Sequence, residues 1–452
     1  MVLKPGPYAT IPTAPGETAS FYALRYDKLG RSEGPATQRH LVKSLADGDF
    51  TDVFLFSHGW NNDWKAALNR YRDFMSTFRA MIDGHALSLE REYRPILAGV
   101  FWPSTALVMP WEAAPEFAGS EGEEAADATD LSLIGDLAAE VPAADVERYY
   151  ELVEEEMLDR AAARELLTIV APVVSHGDPD LEGDPGRDVN DLLASWAMLK
   201  ATLAPQPILG DPDDFGAVGT ESTTSAAVFE AAGFLDKLNP RNLVRGLTVW
   251  QMKDRAGVVG AKGVGPLLRD MLTATERKPT RYHLLGHSYG ARVVLNAVAR
   301  PEGRPLPRAV DSMLLLQPAV NHLCFADALP DGRRGGYHAV PHLVKKPIMT
   351  TFSAHDVPLH DTFHLALRRG KDLGEVEIAA DEPPNEYAAL GGYGPRGLQG
   401  WREVAIKQPK SLYDLDADNA AILALNGRGV IMSHGGVVNQ ATAWALFNLV
   451  RG

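Results

Sequence analysis

The chain has 452 residues and one cysteine, Cys324, so no internal disulfide can form. A reducing compartment is expected, with Cys324 as a packed thiol rather than a nucleophile. No stretch holds eighteen consecutive apolar residues, so no membrane span is expected. The first residues, "MVLKPGPYATIPTAPGE", contain no apolar run of signal-peptide length. The expectation is therefore a soluble, cytoplasmic protein. Positive charge is also scarce. Lys and Arg number 44 against 59 Asp and Glu, a formal net charge of −15. Nucleic acid and anionic membrane surfaces attract basic patches, so neither is an expected partner. Most of the excess acid lies in one block, because residues 121–160 hold fourteen Asp or Glu and two Arg.

Metal and cofactor signatures are absent too. "HGDPDLEGDPGRD" has the acids of a calcium loop at Asp178, Asp180 and Glu182, followed by Gly183. Position twelve is Val189, where such a loop needs a bidentate Glu, so the stretch reads as a solvated loop. "GAKGVGPLLRD" lacks the spacing of a phosphate-binding loop and reads as a helix start. No metal and no cofactor is expected.

What is present is enough apolar side chain for a large core, 45% of the residues. Residues 1–19 read as an extended arm, and "SFYALRYDKLGRSE" as a hairpin around its turn. "DVFLFS" and "PILAGVFWPS" read as buried strands, with a helix over "WKAALNRYRDFMSTFRAMI" between them. Residues 104–240 break this rhythm and read as an acidic, mainly helical insertion serving as a cap. A long helix is expected over 145–170 and another over "NDLLASWAMLKATL". The alternation resumes with "GLTVWQM" as a strand, "GVGPLLRDMLTAT" as a helix and "RYHLLGHS" as a strand. It continues with "YGARVVLNAVAR" as a helix, "DSMLLLQPAV", "KPIMTTFSAHD" and "GRGVIMSHGG" as strands, and "NQATAWALFNLV" as a closing helix. This predicts an α/β protein, a mostly parallel sheet with helices on both faces, built from residues 20–103 and 241–452. Sites in such sheets form beyond the carboxyl ends of the strands.

"LLGHSYGAR" fits G-x-S-x-G, with Gly286, His287, Ser288, Tyr289 and Gly290 between an apolar strand and a helix. Such a serine sits on a sharp turn, where the two glycines leave room for close backbone. A serine hydroxyl needs a base, and histidine has the suitable pKa. His434, late in the chain and followed by two glycines, is the preferred base; His322, His342, His355 and His360 compete. A carboxylate must then fix the imidazole. Asp356, after a strand, is preferred, followed by Asp327 and then Asp361. Backbone N–H groups must face the oxyanion. The Tyr289 N–H is one; "FLFSHGWNND" offers the Trp60 N–H, or Asn61, with Gly59 permitting close approach and His58 bracing the loop.

Together these residues resemble the α/β-hydrolase superfamily of serine esterases and lipases. "FSHGWNNDW" followed by "GVFWPS" is similar to a bacterial group with a His-Gly-aromatic-Asn-Asn loop. The resemblance covers roughly residues 50–105 and 245–450. It implies Ser288 as nucleophile, His434 as base, Asp356 as acid, and Trp60 and Tyr289 as oxyanion donors. The expected substrate is a small ester with an apolar acyl part. Thioesters, amides and peptides are open to the same chemistry, and a non-catalytic scaffold on this fold is the alternative outside enzymes. A dehalogenase would need Asp at position 288.

Overall fold

The computed structural model describes residues 4–14, 16–60, 62–89, 91–104, 134–174, 179–184, 186, 188–193, 239–329, 331–362, 383 and 385–451. Among them a nine-stranded sheet forms the centre, in the spatial order β1-β2-β4-β3-β5-β6-β7-β9-β8. The strands are β1 (Ala9–Ala14), β2 (Glu17–Arg25), β3 (Asp52–Ser57), β4 (Pro95–Phe101), β5 (Arg281–His287), β6 (Ser312–Leu316), β7 (Ile348–Phe352), β8 (Trp401–Ala405) and β9 (Ile422–Asn426). Every neighbouring pair is parallel except β1 with β2. The protein is thus α/β, with a mostly parallel sheet.

Alternation along each strand builds two cores. Val53, Leu55, Leu284 and Leu315 face one side, while Phe54, Phe56, Leu285 and Leu314 face the other. Among the described residues, two helices cover the second face. They are α2 (Trp64–Gly84), capped by the Asp63 carboxylate, and α8 (Gln440–Val450), opened by an Asn439 capping box. The first face is covered by α1 (Pro35–Asp47), α5 (Pro240–Val258), α6 (Gly265–Ala274) and α7 (Tyr289–Ala299). Two helices of the acidic region, α3 (Val146–Glu154) and α4 (Arg160–Val174), join that core through Tyr149, Leu152, Val153, Leu166 and Leu167.

Several expectations need correction. "GLTVWQM" is helical, inside α5. Its apolar, β-branched run looks like a strand locally, but Val244, Leu247, Gln251, Met252, Arg255 and Ala256 are buried at helical spacing. Helix α5 runs through a π-helical turn, Val259–Val264, into α6. The helix expected over 145–170 is two helices, broken at 155–159, and both pack with α5. Most of "NDLLASWAMLKATL" lies outside the described residues. "GRGVIMSHGG" is a loop of turns, and the last strand is the earlier "ILALN". Val430 and Ile431 both donate to the Gly427 carbonyl, which curls this glycine-flanked stretch away from the sheet. The N-terminal arm contains β1, which pairs antiparallel with β2 at the sheet edge. The turn at Asp27–Arg31 forms, but its second arm is only a bridge between Tyr26 and Ser32.

The polar loop at 176–188 is not solvated at its centre. Asp180 is fully buried, ion-paired with Arg292 of α7 and Lys253 of α5, and accepts from the Asn321 N–H. Asp184 pairs with Arg333. A buried charge persists only when paired in this way, so the loop is tied behind the helix that begins at Tyr289. Asp178 lies outside the described residues. No helix among the described residues is long and apolar enough to cross a membrane.

Candidate functional site

Parallel register places the strand ends side by side. Ser57 at the end of β3 pairs with Gly286 of β5, and His287 pairs with Leu316 of β6. The next residues of each strand therefore emerge together at the carboxyl edge. Phe352 of β7 pairs with Asn426 of β9 there as well.

Ser288 caps α7 with φ 55° and ψ −128°, a left-handed conformation that costs a non-glycine residue about 1–3 kcal/mol. Its N–H donates to the Leu316 carbonyl at 3.1 Å, and its own carbonyl accepts from Ala291 at 3.0 Å and Ala319 at 3.2 Å. The flanking glycines are obligatory for space. A Cβ on Gly290 would lie 2.1 Å from the Ser57 carbonyl oxygen, and one on Gly286 would lie 2.5 Å from the Ala291 Cα. The strained turn lifts the hydroxyl to the start of α7, where the first N–H groups lack intrahelical partners.

The structure brings Ser288, His434 and Asp356 together from positions far apart in the chain. Ser288 Oγ lies 2.8 Å from His434 Nε2, and His434 Nδ1 lies 2.8 Å from Asp356 Oδ2. With the proton on Nδ1, the imidazole donates to the carboxylate and accepts from the hydroxyl. Asp356 is fully buried, whereas the His434 side chain is 21% exposed. Asp356 Oδ1 accepts from the Leu359 N–H at 3.2 Å, and Oδ2 also accepts from Gln317 Nε2 at 2.8 Å. His287 supports His434 from behind. Its Nε2–H donates to the His434 carbonyl at 3.0 Å, and its ring sits 5.0 Å from the His434 ring. Burial, with Arg70 and His434 nearby, holds His287 well below the usual histidine range, so it is neutral.

The His58–Asn62 loop lies over the serine. A Cβ on Gly59 would stand 2.5 Å from the Ser288 Cβ, so only glycine allows this approach. His58 is buried, and burial pushes it down to about 4. It is therefore neutral, and its Nδ1–H donates to the Gly59 carbonyl at 2.8 Å while its ring stacks on Trp102. Asn62 Nδ2 donates to the same carbonyl at 3.2 Å and to the Trp60 carbonyl at 2.7 Å. In a trans peptide the carbonyl and N–H point in opposite directions. Fixing the Gly59 oxygen thus fixes the direction of the Trp60 N–H. The Trp60 ring packs against Tyr289 at 6.1 Å.

The competing residues lie elsewhere. Asp327 is exposed and accepts from the Gln399 N–H. His342 and His355 are exposed, His360 stacks on Tyr393, and His322 is buried and pushed by burial down to about 3. Asn61 and the Asp361 side chain lie outside the described residues. Gln317 and Asn62 were not singled out by sequence, because neither residue type marks chemistry and both act through contacts that only the fold creates. Among the described residues no group of three or more His, Cys, Asp or Glu could hold a metal ion. No family model matches the chain, and neither does any curated protein or solved structure compared with it.

Proposed function

We propose that the protein is a serine hydrolase of the α/β-hydrolase superfamily that cleaves carboxylic esters through an acyl-enzyme. The observation that carries this reading is the continuous contact from Asp356 through His434 to Ser288, two links of 2.8 Å. The chain order serine, acid, histidine supports the superfamily, as does the serine on a strained strand-to-helix turn after β5. In the reaction, His434 Nε2 accepts the Ser288 proton as Oγ attacks the carbonyl carbon. Asp356 stabilises the imidazolium through Nδ1–H. The Trp60 and Tyr289 N–H groups take the oxyanion. The imidazolium then protonates the leaving alcohol, and His434 activates a water that releases the acid from Ser288.

Met432 and Val357 are exposed apolar side chains, 62% and 46% accessible, beside His434 and Asp356 in the chain. They favour an apolar acyl group. One buried cysteine fits a reducing compartment, with the cytoplasm as the place of action. The test is fluorophosphonate labelling and turnover of p-nitrophenyl esters from C2 to C12, with matched thioesters and anilides. Labelling that disappears in Ser288→Ala, with ester turnover exceeding anilide turnover, is expected. Equal labelling of both proteins removes the proposal.

A further inference from the structure

Two side chains hold Asp356, and only that of His434 has a task in the reaction scheme above. The other is Gln317, directly after β6, fully buried and at φ 43°. A left-handed backbone is uncommon for a residue of this type, where Gly or Asn is the ordinary choice. Its Nε2 donates to Asp356 Oδ2 at 2.8 Å and to the Gly391 carbonyl at 3.1 Å. The reverse amide orientation would set Oε1 against a carboxylate and a carbonyl, so it is chemically untenable. Oε1 is buried without a hydrogen bond. The side chain thus leaves one polar atom unsatisfied while spending both donors beside the acid.

The same turn carries the nucleophile. Leu316 accepts from the Ser288 N–H, and the Ala319 N–H donates to the Ser288 carbonyl. The Gln317 N–H donates to Thr351 Oγ1 at 2.8 Å, and Gly391 donates to the Pro318 carbonyl. Four residues, 316–319, therefore touch the serine through backbone and the acid through one side chain.

Resting on the hydrolase reading, we propose that Gln317 is a positioning residue: its amide, presented by a left-handed turn that also holds the Ser288 backbone, fixes the Asp356 carboxylate in the orientation that serves His434. With Oδ1 held by Leu359 and Oδ2 by Gln317, the carboxylate has one stance, and His434 Nε2 is aimed at Ser288. This is pre-organisation of the acid, so it acts on the chemical step and not on substrate affinity.

The experiment compares the full-length protein with Gln317→Met, of similar length but no donor, and Gln317→Glu, of the same shape. Steady-state ester turnover and the rate of fluorophosphonate labelling are measured across pH. In Gln317→Met, kcat and labelling rate fall about tenfold with KM unchanged, as for loss of a hydrogen bond to a charged group. Among the described residues, the titratable group hydrogen-bonded to the amide is Asp356, with His434 behind it; Thr351, Pro318 and Gly391 bring no charge. In Gln317→Glu the deficit therefore deepens as pH rises and two carboxylates face each other. It shrinks as pH falls, where the glutamic acid proton donates to Asp356. A merely structural role gives no such recovery. Should Gln317→Met fail to fold, Gln317→Asn suits the left-handed backbone, is too short to reach Asp356, and must show the same fall. Wild-type rates in the folded Met or Asn variant, or a Glu variant that tracks the Met variant at every pH, overturn the inference. A wild-type protein that never labels removes the hydrolase reading and this inference with it; a reactive wild type with unaffected variants removes the inference alone.

Discussion

Among the described residues, two Ser–His–Asp chains stand at opposite edges of the sheet. At the carboxyl edge, Ser288, His434 and Asp356 are linked by contacts of 2.8 and 2.8 Å. Near the amino ends, Ser312 Oγ lies 2.7 Å from His283 Nδ1, and His283 Nε2 lies 2.9 Å from Asp52 Oδ1. The distances are nearly the same, but the surroundings differ. Ser312 and His283 are each 1% exposed, and both stand in regular parallel strands. Ser288 stands on a left-handed turn at the start of α7, beside a histidine 21% exposed. Asp52 is also clamped by both terminal nitrogens of Arg91. Burial alone would raise its pKa, but bonds from His283 and Arg91 outweigh burial and hold it well below the usual carboxylate range. Burial lowers His283 despite that neighbour, so the histidine is neutral and its Nε2–H donates. The same three residue types in the same hydrogen-bonding order thus stand in two different environments. Access, a strained serine backbone and a helix start beside it separate the two chains.

The sharpest way to break the comparison is the pair Ser288→Ala and Ser312→Ala. The first should lower kcat by at least about 10⁴-fold. The second should leave activity intact and cost about 1 kcal/mol of stability in urea denaturation. Next come the acids. Asp356→Asn should lower kcat about 10⁴-fold while the melting temperature stays close to wild type. Asp52→Asn should do the reverse, losing about 3 kcal/mol because the half-buried Arg91 guanidinium is left without its buried counter-charge. Equal effects of the two acid substitutions on activity would erase the distinction.

Acid titration of stability gives a smaller contrast. His58 is held at about 4 and His287 well below the ordinary value, both by burial. The unfolded chain binds these protons at about pH 6.5, before the native chain does, so stability falls as pH drops from about 6.5 to about 4. His58 alone accounts for about 3 kcal/mol of that loss. Asp52 adds a further loss, beginning below about pH 5, because its folded pKa is depressed and its stabilisation, full above the unfolded value, drains away as pH falls toward the folded one. Urea melts of wild type and His58→Gln between pH 4 and 7 measure the first part; identical slopes would refute it. The smallest effect expected is in Asn62→Ala, a roughly tenfold fall in kcat with KM unchanged, from a freer Gly59–Trp60 peptide.

Local chemistry made part of this legible in the sequence. The Gly–x–Ser–x–Gly elbow needs only five neighbouring residues, and the strand alternation around Phe54 and Leu285 needs only a dozen. His434 was reachable as a late histidine, although the stretch before it is a loop, because glycines on both sides and the turn at Gly427 outweigh its apolar run. Gln317 was not reachable. Its role depends on a contact 39 residues away and on a backbone angle that its residue type disfavours. Asp180 read as a wet loop acid because its cations, Lys253 and Arg292, come from helices more than 70 residues further on.

Sequence alone determined the parallel α/β core, the elbow at Ser288 and the pairing of a His-Gly loop with it, since each follows from short-range periodicity and steric need. Only tertiary structure decided which of two Ser–His–Asp chains stands open. The residue types are the same in both, and strand register, burial and left-handed turns at Ser288 and Gln317 are properties of packed neighbours that no single segment encodes.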